Sequence, residues 1–212
     1  MHLFPINISL HNKQCLVIGG GQVALRKVEN LLVYETSITV VSPQAEDEIK
    51  RLAQQGSITW HQRNFKEEDL LNAFLVFVAT DDNSMNQYIN QLCNREGILV
   101  NAVDDPPNCD FYVPSVIRRG SLVVTVSTEG KSPLYAKKLR RDLGKTITEA
   151  QGRFVDLLGE QREFIKARIA DIDTRQEIFK ALVDLDVLDL LAAGEEEKAR
   201  ERMRECISFW LD

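Results

Sequence analysis

Two hydrophobic rhythms alternate along the first half of the chain. Gln14-Cys15-Leu16-Val17-Ile18 is a short apolar run that ends at Gly19-Gly20-Gly21. Beyond the glycines, Val23, Ala24, Val28, Leu31 and Leu32 return at helical spacing, which predicts a buried strand, a tight turn and a helix. Ahead of this unit, Phe4 to Leu10 reads as an extended lead-in and His11-Asn12-Lys13 as a turn. After it, the β-branched Ile38-Thr39-Val40-Val41 predicts a second strand, stopped by Ser42-Pro43, and Ala45 to Gln54 a polar helix. Ile58-Thr59-Trp60-His61 reads as a third strand. Phe74 to Ala79 is wholly apolar, as a strand covered on both faces should be. A helix over Ser84 to Arg95 and a fifth strand at Ile98-Leu99-Val100 complete the alternation, which implies a doubly wound parallel sheet.

Past Asp110 the pattern changes. Phe111 to Ser115 and Ser121 to Val126 read as strands with no helix between them, turned into a hairpin at Gly120. Ser132-Pro133 opens a helix, Ser as N-cap and Pro at the first helical position, which runs to Leu143 and stops at Gly144. From there only helical pattern remains, over Ile147 to Ile169, Arg175 to Val183 and Glu195 to Trp210. The expected architecture is α/β: a Rossmann-like domain over 1–113, a small α+β linker domain over 114–145 and an all-α domain over 146–212.

Composition narrows the class. With 212 residues and 44% hydrophobic content, the chain can bury a sizeable core. The four cysteines, Cys15, Cys93, Cys109 and Cys206, are scattered and form no metal-ligand or disulfide spacing. No apolar run approaches the roughly 20 residues of a membrane span, and no signal-peptide pattern is present, so a reducing, cytoplasmic setting is expected. The net charge of −6 argues against nucleic acid as the main partner. That charge is unevenly spread. Between 114 and 145, Arg118, Arg119, Lys131, Lys137, Lys138, Arg140, Arg141 and Lys145 stand against only Glu129 and Asp142, a net of +6. Such a segment is either a solvated helix face or a cradle for a polyanion.

The strongest chemical signal is the glycine turn. Gly19, Gly21 and Ala24 fit the G-x-G-x-x-G/A dinucleotide pattern: Gly19 for the turn, Gly21 for close approach of a pyrophosphate, Ala24 for helix–strand packing. The helix start offers unpaired N–H groups to phosphate. The acid that NAD sites usually carry after the second strand is missing from Val41-Ser42-Pro43-Gln44. Three readings stand side by side: a preference for NADP, NAD held through Ser42 and backbone groups, or a turn that binds no nucleotide. Ala79-Thr80-Asp81-Asp82 lies at the carboxyl end of the fourth strand, where α/β sheets bind ligands, although Asp81-Asp82-Asn83-Ser84 also suits a helix cap. Asn101-Ala102-Val103-Asp104-Asp105 stands just past the fifth strand and supplies a candidate general base, with Asp110 a further acid.

Together these residues resemble a family. Gly19-Gly20-Gly21-Gln22-Val23-Ala24-Leu25-Arg26-Lys27 is similar to the GGGxVAxRK turn of precorrin-2 dehydrogenases, the N-terminal module of siroheme synthases. The likeness continues through Ala79 to Asp82, Asn101 to Pro106, Asp110 to Ser115 and Val126 to Pro133. It implies NAD-dependent oxidation of precorrin-2 to sirohydrochlorin by a homodimer that pairs through Pro114 to Gly144, with Asp104 as catalytic acid/base. It implies cofactor contacts at Gly19, Gly20, Gly21, Gln22, Val23, Ser42, Pro43, Ala79, Thr80, Asp81, Asn101 and Val103. Ser127 and Thr128 match a cleft-lining loop, and with Lys131, Lys137 and Arg140 form the expected set for a polycarboxylate substrate. Some members also insert Fe²⁺ into the product; here the only histidines are His2, His11 and His61, and no dedicated iron ligand set is visible. The fused methyltransferase domain of the family is expected to be absent from so short a chain. The rival reading is a non-catalytic NAD-sensing regulatory domain.

Overall fold

The computed structural model describes residues 2–103 and 109–210. The chain forms two compact units, Met1–Val113 and Pro114–Asp212.

The first unit is a five-stranded parallel sheet. Its strands are β1 (Gln14–Ile18), β2 (Ser37–Val41), β3 (Thr59–His61), β4 (Ala73–Val78) and β5 (Leu99–Ala102), in the order β3-β2-β1-β4-β5. Three helices cover it: α1 (Gln22–Leu31), α2 (Asp47–Gln54) and α3 (Asn83–Glu96). Successive side chains of a strand point to opposite faces, and each face here has its own core. Cys15 and Val17 pack with Ala24 and Val28 of α1 and with Ile49 and Leu52 of α2. Leu16 and Ile18 pack with Ile89, Leu92 and Cys93 of α3. This two-sided burial is why the strands read as unbroken apolar runs. A single 3₁₀ turn, Glu67–Leu70, precedes β4 and places buried Leu70 against the α3 face.

The second unit begins with an antiparallel hairpin, β6 (Ser115–Arg119) and β7 (Leu122–Val126), and continues as five helices: α4 (Pro133–Leu143), α5 (Glu149–Arg168), α6 (Ile172–Val183), α7 (Leu188–Ala192) and α8 (Glu196–Ser208). Ser132 caps α4, its hydroxyl accepting from the Tyr135 N–H, and Pro133 opens the helix. The hairpin is held to α5. The Gly120 turn lies so close to Asp156 that a Cβ there would meet its carboxylate at 2.4 Å, and the Ser121 N–H donates to the same group. A Cβ on Gly152 of α5 would meet the Arg119 carbonyl oxygen at 2.4 Å. Leu157 and Ile165 of α5, Ile178 and Leu182 of α6, and Met203 and Ile207 of α8 form the helical core. The segments 114–145 and 146–212 thus share one compact unit.

One strand lies elsewhere than the pattern suggested. Phe111 to Ser115 is not a strand; β6 starts at Ser115 and runs through Arg119. Pro114 has no N–H for a ladder. The Phe111 carbonyl accepts instead from the Asn101 side chain, and its ring packs edge-on against Phe77 at 5.4 Å.

Candidate functional site: a glycine turn at the carboxyl edge of the sheet

The three glycines between β1 and α1 have different physical reasons. Gly19 has φ +120, and a Cβ there would sit 2.1 Å from the Ala79 carbonyl oxygen. Gly20 lies under the β2–α2 loop, where a Cβ would meet the Gln44 carbonyl oxygen at 2.0 Å and the Ser42 Oγ at 2.6 Å. Both are required by the packing of the chain on itself. Gly21 is not. Its φ of −81 and ψ of −172 suit any residue, and a Cβ would meet nothing within 4 Å. A bare α-carbon facing open space leaves room for a group that is not part of the chain.

The start of α1 faces the same space. Gly21 is its N-cap; no side chain caps it among the described residues, and no acid stands in its first turn. The leading N–H groups at Gln22 and Val23, together with the positive end of the helix dipole, are left for an anion. An open depression of about 340 Å³ adjoins them, lined by Gly20, Gly21, Gln44, Ala45, Glu46 and Asp47. The β2–α2 loop is tied to the turn by the Glu46 N–H donating to the Gly20 carbonyl (2.8 Å). A dinucleotide fits this arrangement: bare backbone and helix N–H groups for the pyrophosphate, and a flanking depression for the nucleoside.

The other expected cofactor residues occupy the carboxyl ends of the neighbouring strands. Ser42 and Pro43 follow β2. Pro43 is exposed, but Ser42 is only 4% exposed, and its hydroxyl accepts from the Trp60 indole N–H (3.1 Å). Ala79, Thr80 and Asp81 follow β4. Ala79 abuts the glycine turn, its N–H donating to the Ile18 carbonyl. Thr80 is bound to Asn86 at both ends, its hydroxyl donating to Oδ1 (2.5 Å) and its carbonyl accepting from Nδ2 (3.0 Å). Asp81 is exposed, and its neighbour Asp82 caps α3 by accepting from the Ser84 and Met85 N–H groups.

Asn101 and Val103 stand at the end of β5. Asn101 is 8% exposed, and its amide is engaged by the protein. Its oxygen accepts from Lys27 (3.1 Å), and its nitrogen donates to the Phe111 carbonyl (2.9 Å) and to the Cys109 sulfur. The Lys27 ammonium also lies 4.7 Å from the centre of the Phe77 ring, and its pKa is lowered by burial, with Arg26 adding repulsion. Lys27 follows Ala24 by one helical turn, a spacing that puts it on the buried face of α1; the sequence pattern included it without suggesting this contact. Asp110 is also committed, accepting from the Val100 N–H (3.0 Å) and donating its own N–H to the Val100 carbonyl. The candidate base Asp104, with Asp105, lies outside the described residues.

The substrate candidates belong to the second unit. The Ser127 hydroxyl accepts from the Glu129 N–H and the Thr128 hydroxyl from the Ser132 N–H, which shapes the loop into α4. Lys131 precedes α4, and Lys137 and Arg140 project from it, all exposed. Among the described residues none of these three cations has an ion-pair partner, whereas Arg141 and Lys145 share Asp142. No cluster of three or more His, Cys, Asp or Glu suited to a metal occurs among the described residues, and no helix there is long and apolar enough to cross a membrane.

These features define a dinucleotide-binding protein of the doubly wound α/β class. Comparison with known proteins agrees and goes further. A family model described as putative NAD(P)-binding matches residues 6–115, one described as sirohaem biosynthesis protein central matches 119–146, and one described as sirohaem synthase dimerisation region matches 150–207. The chain belongs to this NAD(P)-binding family of sirohaem biosynthesis proteins. Siroheme synthase of Thioalkalivibrio sulfidiphilus is 38% identical over all of this chain and 43% of its own length. That of Pseudoalteromonas atlantica is 38% identical over 99% of this chain and 45% of its own length. The chain thus spans less than half the length of these curated relatives. A solved structure titled SirC, precorrin-2 dehydrogenase, superposes with a TM-score of 0.77 at 27% identity, covering 98% of both chains. Dimerisation was expected over Pro114 to Gly144, whereas the model named for the dimerisation region falls on the helices beyond.

Proposed function

We propose that this chain is an NAD-dependent precorrin-2 dehydrogenase of siroheme biosynthesis, converting precorrin-2 and NAD⁺ into sirohydrochlorin, NADH and a proton. The observation that carries the reading is the glycine turn, with Gly21 bare toward open space beside an uncapped helix start. It occurs in a chain whose likeness to a protein titled precorrin-2 dehydrogenase runs through 98% of both chains.

The roles follow from chemistry. NAD⁺, when bound, supplies the acceptor for the hydride. Gly19 and Gly20 let the turn close on Ala79 and Gln44, and the N–H groups of Gln22 and Val23 take the pyrophosphate. Loss of a hydride leaves a cationic macrocycle that must also release a proton, and Asp104, the residue that follows Val103 in the sequence, is the base we assign to receive it. The exposed cations Lys131, Lys137 and Arg140, with the loop hydroxyls of Ser127 and Thr128, attract the substrate carboxylates. We place the protein in the cytoplasm as a homodimer pairing through its second unit, with 114–145 as a linker and dimerisation segment and 146–212 as a helical domain.

The test is incubation with precorrin-2 and NAD⁺ while recording sirohydrochlorin absorbance. Formation of sirohydrochlorin supports the proposal. Tight NAD⁺ binding without turnover would favour a regulatory nucleotide-sensing domain instead.

A further inference from the structure

In NAD-binding sheets a carboxylate at the end of the second strand holds the adenosine ribose. Here that position is Ser42, which is buried and already accepts from Trp60. The depression beside the glycine turn nevertheless has two acids among its lining residues. Glu46 and Asp47 line it together with Gly20 and Gly21. The two acids differ in their surroundings. Asp47 is paired with Lys50 at 2.8 Å, so that pair carries no net charge. Glu46 has no ion-pair partner among the described residues. It is half-buried at the N-cap of α2, with its N–H fixed to Gly20. Its backbone is therefore held to the glycine turn, and the residue lines the depression that flanks that turn.

We propose that Glu46 is the carboxylate that holds the adenosine ribose and sets the preference of this site for NAD⁺ over NADP⁺; the proposal rests on the dinucleotide reading above. Glu46 accepts hydrogen bonds from the ribose hydroxyls, as charged acceptors do strongly. A 2′-phosphate removes one of those donors and places negative charge against the carboxylate. Lys50 does not offset this, because Asp47 occupies it. The role normally met at the strand end has moved onto the N-cap of the next helix, beyond the strand edge where a sequence search finds no acid.

The experiment is direct titration of the full chain with NAD⁺, NADP⁺ and NAD⁺ lacking the adenosine 2′-hydroxyl, for the native protein, Glu46→Gln and Asp47→Asn. Native protein should bind NAD⁺ at least tenfold more tightly than NADP⁺, and Glu46→Gln should weaken NAD⁺ by roughly tenfold, the scale of one hydrogen bond to a charged group. The same variant should leave NADP⁺ unchanged or improved. Its penalty for loss of the 2′-hydroxyl should be smaller than that of the native protein, because the Gln oxygen still accepts but carries no charge. Asp47→Asn should weaken NAD⁺ less than Glu46→Gln. Equal effects of Glu46→Gln on NAD⁺ and NADP⁺, or a 2′-hydroxyl penalty undiminished in that variant, would overturn the assignment of Glu46 while leaving the dinucleotide site standing. A native protein that binds neither dinucleotide removes the underlying reading, and this proposal with it.

Discussion

The two units build their candidate sites from different materials. In Met1–Val113 the chemistry lies in the backbone. Glycines at Gly19 and Gly20 let segments approach, Gly21 leaves its α-carbon bare, and the start of α1 offers N–H groups. In Pro114–Asp212 it lies in side-chain charge. Lys131, Lys137 and Arg140 face solvent, and even the helical fold is laced by ions, with Arg153 and Arg200 converging on Glu196 and Arg200 also on Glu160. A site made of backbone is sensitive to a methyl group. A site made of exposed charge tolerates shape changes and responds to ionic strength and pH.

The largest expected effect falls on the proposed proton acceptor. Asp104→Ala should lower kcat by ~10²–10⁴-fold, the usual worth of general-base catalysis, with little change in NAD⁺ affinity. Asp105→Ala should be milder, since Asp104 is the acid at the position the family resemblance assigns to the proton. Steady-state kinetics of the two variants side by side decide it; a dead Asp105→Ala beside an active Asp104→Ala reverses the assignment.

The glycines sharpen the contrast within the first unit. Gly20→Ala places a methyl 2.0 Å from the Gln44 carbonyl oxygen, and overpacking of that kind costs about 1–3 kcal/mol, read as a lowered Tm. Gly21→Asp meets open space, so its Tm should stay near native. It should weaken NAD⁺ by about 2 kcal/mol, the upper range for a charge at a helix terminus, because the carboxylate occupies the phosphate position. If both variants lose stability and binding in proportion, the division between packing glycines and a ligand glycine fails.

Smaller effects are expected in the second unit. Reversing the charge of Lys137 and Arg140 to Glu should raise KM for precorrin-2 while leaving kcat near native. Added salt should raise KM in the native protein through screening; a KM unmoved by either would leave those cations as a solvated surface. Smallest is the acid response of the helices. Arg153, and then Arg200, hold the Glu196 carboxyl down to about 2 from its ordinary 4.5. That stabilisation is complete above pH 4.5 and drains away as pH falls toward 2. Glu196→Gln should flatten the acid side of the stability–pH curve, as followed by thermal unfolding.

How far the sequence could be read follows the same divide. The strands of the first unit are buried on both faces, so their apolar runs stand out, and the expected bounds of β1 coincide with the structure at Gln14–Ile18. Phe111 to Ser115 misled because the Phe111 ring packs against Phe77 and its carbonyl accepts from Asn101 instead of joining a ladder. The five-residue α7 is too short for its periodicity to register, whereas the helix expected over Ile147 to Ile169 is present as α5 (Glu149–Arg168). The glycine turn was legible because its spacing reflects backbone geometry. Glu46 was not, since its place beside the turn depends on the hydrogen bond to Gly20 that folds the β2–α2 loop back. Lys27 and Asn101 were visible as residues, but their pairing joins α1 to β5 across 74 positions and needs the fold to exist.

The central claim is that the backbone of the glycine turn holds the oxidant for precorrin-2. It is tested most directly by following NADH and sirohydrochlorin together, with precorrin-2 and NAD⁺, in native protein and in Gly21→Asp. With NAD⁺ held near the native Kd, native protein should produce the two in equal amounts, and Gly21→Asp, folded but seating the pyrophosphate about 2 kcal/mol more weakly, should produce both far more slowly. Sirohydrochlorin formed at the native rate by Gly21→Asp, or NAD⁺ bound by native protein with no NADH released, would contradict the account.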